Sequence, residues 1–303
     1  MDLNFFKKNR ILDGGMGQEL LARGMKPEGT LWSASALLNK DYHKLLLDTH
    51  LDYIKAGAEV IVTTTFAARK TRLIENKIEN KFEYINKKAG ELAKKTKEIY
   101  PDVLIAGGLP PQNLTYKEDD RSGDEISQDF YEQAKLLNPY SDFFYLDVIS
   151  SIKELELAIK SIHEFKKPYL IGAHISQGKT MPSGEKISDI LRNKKKENLL
   201  GIMLSCVSPE NFQLNLEELK NLGIPFGFKL NSYIKTNPFP KLDEHEKDKK
   251  SVDPKEFLGT RKDLTPKKMV EFAKKFKDSG ATILGGCCET SPKHIQEFSN
   301  LLK

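Results

Sequence analysis

Three cysteines, one tryptophan and no apolar run near membrane length are what this 303-residue chain offers where other proteins are rich. An odd and small number of cysteines does not make a disulfide framework, which points to a reducing, cytoplasmic setting. A run of about 20 apolar residues is needed to span a bilayer, and the N-terminal "MDLNFFKKNR" has no apolar core of a signal peptide. Charge of one sign is also scarce. With 48 basic against 43 acidic residues the net charge is +5, thinly spread. The lysine-rich runs "NKKKEN" and "KDKK" lack interleaved aromatics or glycines and read as solvated faces. A nucleic-acid platform and a membrane partner are therefore not expected.

Regularity is what the chain does have. Eight short apolar segments recur: "RILDGG" (10–15), "EVIVTTTF" (59–66), "DVLIAGGL" (102–109), "DFFYLDVI" (142–149), "PYLIGAHI" (168–175), "LLGIMLSC" (199–206), "IPFGFKLN" (224–231) and "ATILGGCC" (281–288). Continuous β-branched and aromatic runs of this length suit parallel strands covered on both faces. Between them lie mostly helical patterns. "DYHKLLLDTHLDYIKAGA" has an apolar stripe and stops at glycine, "SIKELELAIKSIHEFKK" opens on a capping serine, and "TPKKMVEFAKKFKDSGA" opens Thr-Pro and closes at Gly280. Eight such alternations in about 300 residues predict an α/β protein of the (β/α)8 barrel type, one domain over 1–303. Two polar, turn-rich stretches, 110–127 and 238–262, interrupt the alternation as loop insertions.

The unusual residues end strands. Asp13, Gly14 and Gly15 close the first, Cys206 the sixth, Asn231 the seventh, and Cys287 with Cys288 the eighth. Strand ends of a barrel converge on the face where active sites are built. Adjacent cysteines rarely bridge each other, because the eight-membered ring strains the peptide. A metal, a reactive thiol or plain packing of buried thiols remain as readings for all three. Three thiolates make a sound zinc site with one vacancy, and the glycines at 285 and 286 leave slack for the chain to turn. Zinc with three thiolates carries net charge −1, a poor activator of water. It keeps a bound substrate thiol deprotonated yet nucleophilic, so alkyl transfer to sulfur is the chemistry favoured over hydrolysis. No HxH, HExxH or Ser-His-Asp pattern is readable among the six histidines, and His174 reads as structural.

"ILDGGMGQEL", "LWSAS", "SCVSP" and "GGCCETSPKHI" together resemble the homocysteine S-methyltransferase family, and the likeness runs from about residue 10 to 299. That family includes betaine– and S-methylmethionine–homocysteine methyltransferases and the homocysteine module of methionine synthase, to which "IVTTTFAARKTRLIEN" looks most similar. The resemblance implies a (β/α)8 barrel with zinc on Cys206, Cys287 and Cys288, and methyl transfer to homocysteine giving methionine. It further implies that Asp13 and Asp147 meet the acceptor's ammonium, that backbone N–H groups after Gly14 and Gly15, towards Met16, meet its carboxylate, and that Asn231 lies beside it. Asp147-Val148 stands where the family has Glu-Thr, "GGLPPQ" replaces its third-strand motif, and Ser205 stands where Asn is usual. Donors in the family are sulfonium, quaternary ammonium or corrinoid. Trp32 matches the donor loop, and Phe66 stands where a tyrosine is often found; a cation suits such ring faces, although Phe66 and Tyr145 also suit barrel packing. The partners expected are a small-molecule thiol acceptor and a methyl donor, with a separate corrinoid protein or a zinc barrel without turnover as the alternatives. A homo-oligomer is compatible with the sequence.

Overall fold

Each of the eight apolar runs forms a strand in the computed structural model, which describes residues 1–192, 197–236 and 253–303. The strands are β1 (Arg10–Ile11), β2 (Val60–Val62), β3 (Leu104–Leu109), β4 (Phe143–Ile149), β5 (Tyr169–Ala173), β6 (Leu199–Val207), β7 (Phe226–Leu230) and β8 (Ile283–Gly286). All neighbouring pairs are parallel, and the order around the sheet is β1-β8-β7-β6-β5-β4-β3-β2. A parallel bridge between Leu12 and Val60 joins the first strand to the second and closes the ring. Parallel neighbours need crossovers, and the crossovers here are largely helices, so the predicted barrel is the fold observed.

Both faces of the strands are buried, which explains their uninterrupted hydrophobicity. One face packs with the helical layer. The other fills the barrel with Leu12, Val60, Ala106, Phe143, Leu170, Met203 and Ile283. The N-terminal segment plugs one end: Phe6 is fully buried, its ring meets Phe143 edge-on with centroids 6.0 Å apart, and Thr282 donates to its carbonyl. The other end of the barrel, where the strands finish, is left for a site.

Cap chemistry reads as the sequence does. Ser151 accepts from the Glu154 N–H at the start of Ile152–Ile162, and Thr265 from the Lys268 N–H at the start of Pro266–Asp278. Gly57 and Gly280 follow the helices His43–Lys55 and Pro266–Asp278 at φ 109° and 105°, where an L side chain is strained. The β5–β6 crossover departs from the simple alternation. Among the described residues it holds only the 3-10 helix Ile187–Leu191, because "SQGKTMPSGEK" places Gly178 and Gly184 at positive φ and pairs Thr180 with Lys186 in a turn. The expected insertion at 110–127 is a loop that ends at the Ser122 cap of helix Gly123–Leu137. Most of the other insertion, with the run "KLDEHEKDKK" and His245, lies outside the described residues, and so does most of "NKKKEN". Among the described residues no helix is long and apolar enough to cross a membrane.

Candidate active site

Cys206 reaches the rim through an irregularity. The β6–β7 register shifts between Ser205 and Val207, and Cys206 takes the left-handed conformation at φ 54°. Such a bulge re-aims one side chain without moving the strand. Cys287 and Cys288 follow β8 directly, where the Cys287 N–H donates to the Leu230 carbonyl and the Thr290 N–H turns back to the Cys287 carbonyl. The three sulfurs then lie within 4.8 Å of one another, with Cys206 Sγ 3.7 Å and Cys287 Sγ 3.9 Å from Cys288 Sγ. The edge of a tetrahedron of sulfurs on zinc, at Zn–S of about 2.3 Å, is about 3.8 Å. The donor set and its spacing fit such an ion.

The electrostatics of the cluster point the same way. Burial works against a Cys206 thiolate, but hydrogen bonds from Cys287, Cys288 and Tyr116 outweigh it and hold its pKa well below the usual thiol range. Serving as donors to Cys206 pushes Cys287 up to about 12 and Cys288 well above the usual thiol range. Three sulfurs this close cannot all ionise unless a cation balances them, so a divalent ion would convert their mutual repulsion into affinity.

Around the sulfurs the strand ends form a cleft that opens to solvent. It is lined by Asp13, Gly14, Gly15, Met16, Trp32, Phe66, Asp147, Cys206, Cys287 and Cys288, so every site residue expected from sequence except Asn231 faces it. Asn231 approaches from behind, with Nδ2 3.5 Å from Cys206 Sγ and Oδ1 accepting from the Tyr233 N–H. It braces a sulfur.

Asp13 is buried and already bonded through both oxygens. Oδ2 accepts from the Val62 N–H at 2.8 Å and Oδ1 from Lys229 Nζ at 3.2 Å. Burial raises its pKa, and Lys229 only partly counters that. Asp147 lies at a second bulge, between Leu146 and Ile149 of β4, with Val148 left-handed at φ 60°. It is partly open to the cleft, yet its Oδ1 is buried and has no hydrogen-bond partner among the described residues. Burial lifts its pKa to about 7, against the pull of Lys229. The Gly15 N–H donates to Thr290 through both its carbonyl and its hydroxyl, and the Met16 N–H to the Gly14 carbonyl. A Cβ on Gly15 would lie 2.5 Å from the Cys287 carbonyl oxygen. The glycine pair thus lets β1 pack against the cysteine turn.

Aromatic rings form the outer wall. Trp32, at φ 45°, meets Phe66 edge-on with centroids 6.0 Å apart, and the Arg69 guanidinium lies 5.6 Å from the Phe66 centroid. Two contacts were missed in the sequence. Tyr116, from the loop after β3, brings its hydroxyl 2.9 Å from Cys206 Sγ, and its ring lies tilted against His174 with centroids 4.4 Å apart. His174 is the structural histidine expected. Its nitrogens face the Ser205 carbonyl and the Ser176 hydroxyl, and burial lowers its pKa to about 4, so it is neutral. The other is Lys229, for which a signal existed: a lysine inside the apolar run "IPFGFKLN" is out of place unless paired.

A parallel eight-stranded barrel with a charged cluster and three thiols that could hold a metal ion at its mouth defines a (β/α)8 protein with a thiol-lined site. The model of the homocysteine S-methyltransferase family matches residues 10–302, and the chain belongs to that family. It is similar to homocysteine S-methyltransferase 2 of Saccharomyces cerevisiae, at 27% identity over 98% of this chain and 95% of the relative. The Zea mays homocysteine S-methyltransferase 1 is 26% identical over 97% and 94%. Among solved structures, the metallated form of the Escherichia coli homocysteine methyltransferase MmuM superposes with a TM-score of 0.78 at 19% identity, covering 97% of this chain and 96% of that one, which shows the shared fold.

Proposed function

We propose that this protein transfers a methyl group from a cationic donor to the thiol of homocysteine, giving methionine, with zinc held by Cys206, Cys287 and Cys288. The observation that carries the reading is the meeting of three sulfurs, separated by up to 82 residues, within 4.8 Å at the mouth of a barrel of this family. When bound there, zinc holds a substrate thiol as thiolate near neutral pH, so no separate base is required.

The chain's own residues do the rest. Asp147 turns an unpaired buried oxygen towards the acceptor's ammonium. Trp32, Phe66 and Tyr116 line the cleft with ring faces and edges, a lining that favours a sulfonium or quaternary ammonium group. In the transfer the sulfur lone pair forms the new S–CH₃ bond while the donor's bond to that methyl breaks. The pair stays on the donor, whose positive charge disappears. A cleft with a mainly apolar lining and a negative centre favours that neutralisation. Three free thiols are stable in a reducing compartment, which supports a cytoplasmic setting.

The test is metal analysis together with methionine formation from homocysteine, offering S-methylmethionine, betaine, dimethylsulfoniopropionate, S-adenosylmethionine and a methyl-corrinoid protein in turn. One zinc per chain, lost in Cys288→Ala together with activity, is expected. Full activity in Cys288→Ala, or no methionine from any donor, would overturn the reading.

A further inference from the structure

The acceptor is a zwitterion, and the cleft offers few groups with capacity left for it. Asp13 is buried, and its charge is already countered by the Val62 N–H on one oxygen and Lys229 on the other. The Gly15 and Met16 N–H groups, which the resemblance assigns to the carboxylate, are spent on Thr290 and Gly14. Asp147 keeps one buried oxygen open. Among the described residues lining the cleft, Lys229 is the one cation. It rises from β7, is 5% exposed, and its Nζ lies 5.6 Å from the Tyr145 ring centroid. An ammonium has three donors, and Asp13 takes one of them.

From this geometry we infer that Lys229 is a specificity-determining residue that receives the acceptor's carboxylate, while Asp147 alone receives its ammonium. The inference rests on the methyl-transfer reading and adds to it which chain groups sort the acceptor. Asp13 then acts as a positioning residue: its ion pair fixes the ammonium head of Lys229 at the floor of the cleft and keeps it charged, as the raised pKa of Lys229 shows despite the opposing effect of burial. A carboxylate on a buried ammonium is a charge-assisted contact, which predicts strong discrimination against acceptors that lack it.

Three acceptors separate the possibilities on the zinc-loaded protein: homocysteine, 3-aminopropane-1-thiol without the carboxylate, and 4-mercaptobutanoate without the ammonium. Wild type is expected to bind either truncated acceptor roughly 10- to 100-fold more weakly than homocysteine, read as Kd by calorimetry and as KM. In Lys229→Gln, homocysteine should weaken to the level of 3-aminopropane-1-thiol, so that the two acceptors become equal while 4-mercaptobutanoate weakens too. Zinc content should be retained. A purely structural lysine would weaken all three acceptors by one factor and leave their ratios intact, and that result overturns the assignment. If Lys229→Gln fails to fold because Asp13 is left unpaired, Asp13→Asn/Lys229→Gln removes both charges and must show the same loss of preference. Equal wild-type affinity for homocysteine and 3-aminopropane-1-thiol would also overturn it. Failure of wild type to methylate homocysteine from any donor overturns the underlying reading and this assignment together, whereas methylation with unchanged ratios overturns this assignment alone.

Discussion

The hydroxyl of Tyr116 lies 2.9 Å from Cys206 Sγ, closer than the Nδ2 of Asn231 at 3.5 Å. It comes from a loop whose sequence, "PPQNLTYKEDDRSG", says only that the chain turns, which is why no sequence pattern revealed it. A donor to a thiolate drains charge from it and fixes its direction. Tyr116→Phe is therefore expected to weaken zinc retention roughly 10- to 100-fold in a chelator competition, with the fold unchanged. Asp147 makes a different prediction. Its carboxyl, with a pKa lifted to about 7 by burial, must be ionised to accept an ammonium, so protons compete with the acceptor on the acid side. Below about pH 7 the wild-type advantage over Asp147→Asn in acceptor Kd should shrink by up to about tenfold per pH unit, and above it the ratio should be flat. Taking the ratio cancels the titration of the acceptor's own thiol. Asp13 and the cysteines were legible as strand-end residues, whereas the engagement of Asp13 by Lys229 was not, because pairing across the barrel depends on which strand faces which.

At the scale of elements, the strands were the most legible part. Burial on both faces removes the polar alternation that would confuse a strand with a surface segment. The β5–β6 crossover was less so: the barrel asks only that the chain return in parallel, and a turn-rich segment with a short 3-10 helix does so as well as an α-helix. The helix Met16–Ala22 shows how tightly an element can be tied to the site. A Cβ on Gly17 would lie 2.2 Å from Trp32 Cε2, so the indole packs directly on helical backbone. Gly17→Ala must displace Trp32. Expected is a 10- to 100-fold fall in methyl transfer from a cationic donor with zinc content unchanged, checked by steady-state kinetics beside metal analysis. Loss of zinc in that variant would show that the wall and the sulfurs are not separable.

Across the whole molecule, the residues that hold the loop after β3 are themselves buried and charged. Arg69 donates to the Pro111 carbonyl and the Thr115 hydroxyl, and Glu154 accepts from the Gln112 backbone of that loop as well as from the Ser150 N–H after β4. Burial raises the Glu154 pKa from 4.5 to about 8. Between those values the folded chain keeps a proton that the unfolded chain has released. Stability from this group is thus greatest at the acid end and declines as pH rises through the window, then levels off. Glu154→Gln should remove that slope. The variant should gain on wild type between pH 5 and pH 8, on the order of 1 kcal/mol per pH unit at most, as measured by denaturant titration. An invariant difference across pH would show that Glu154 is already ionised in the native state.

Phe6 stoppers one end of the barrel, so the site is a cul-de-sac. Whatever seats beside Lys229 enters and leaves by the same doorway that the donor later fills. Traffic through a single doorway imposes a queue: the acceptor first, the methyl donor behind it, and the spent donor out before the methylated thioether can follow. Saturating donor should then trap an acceptor already inside and slow its escape, a behaviour that isotope-trapping experiments read directly.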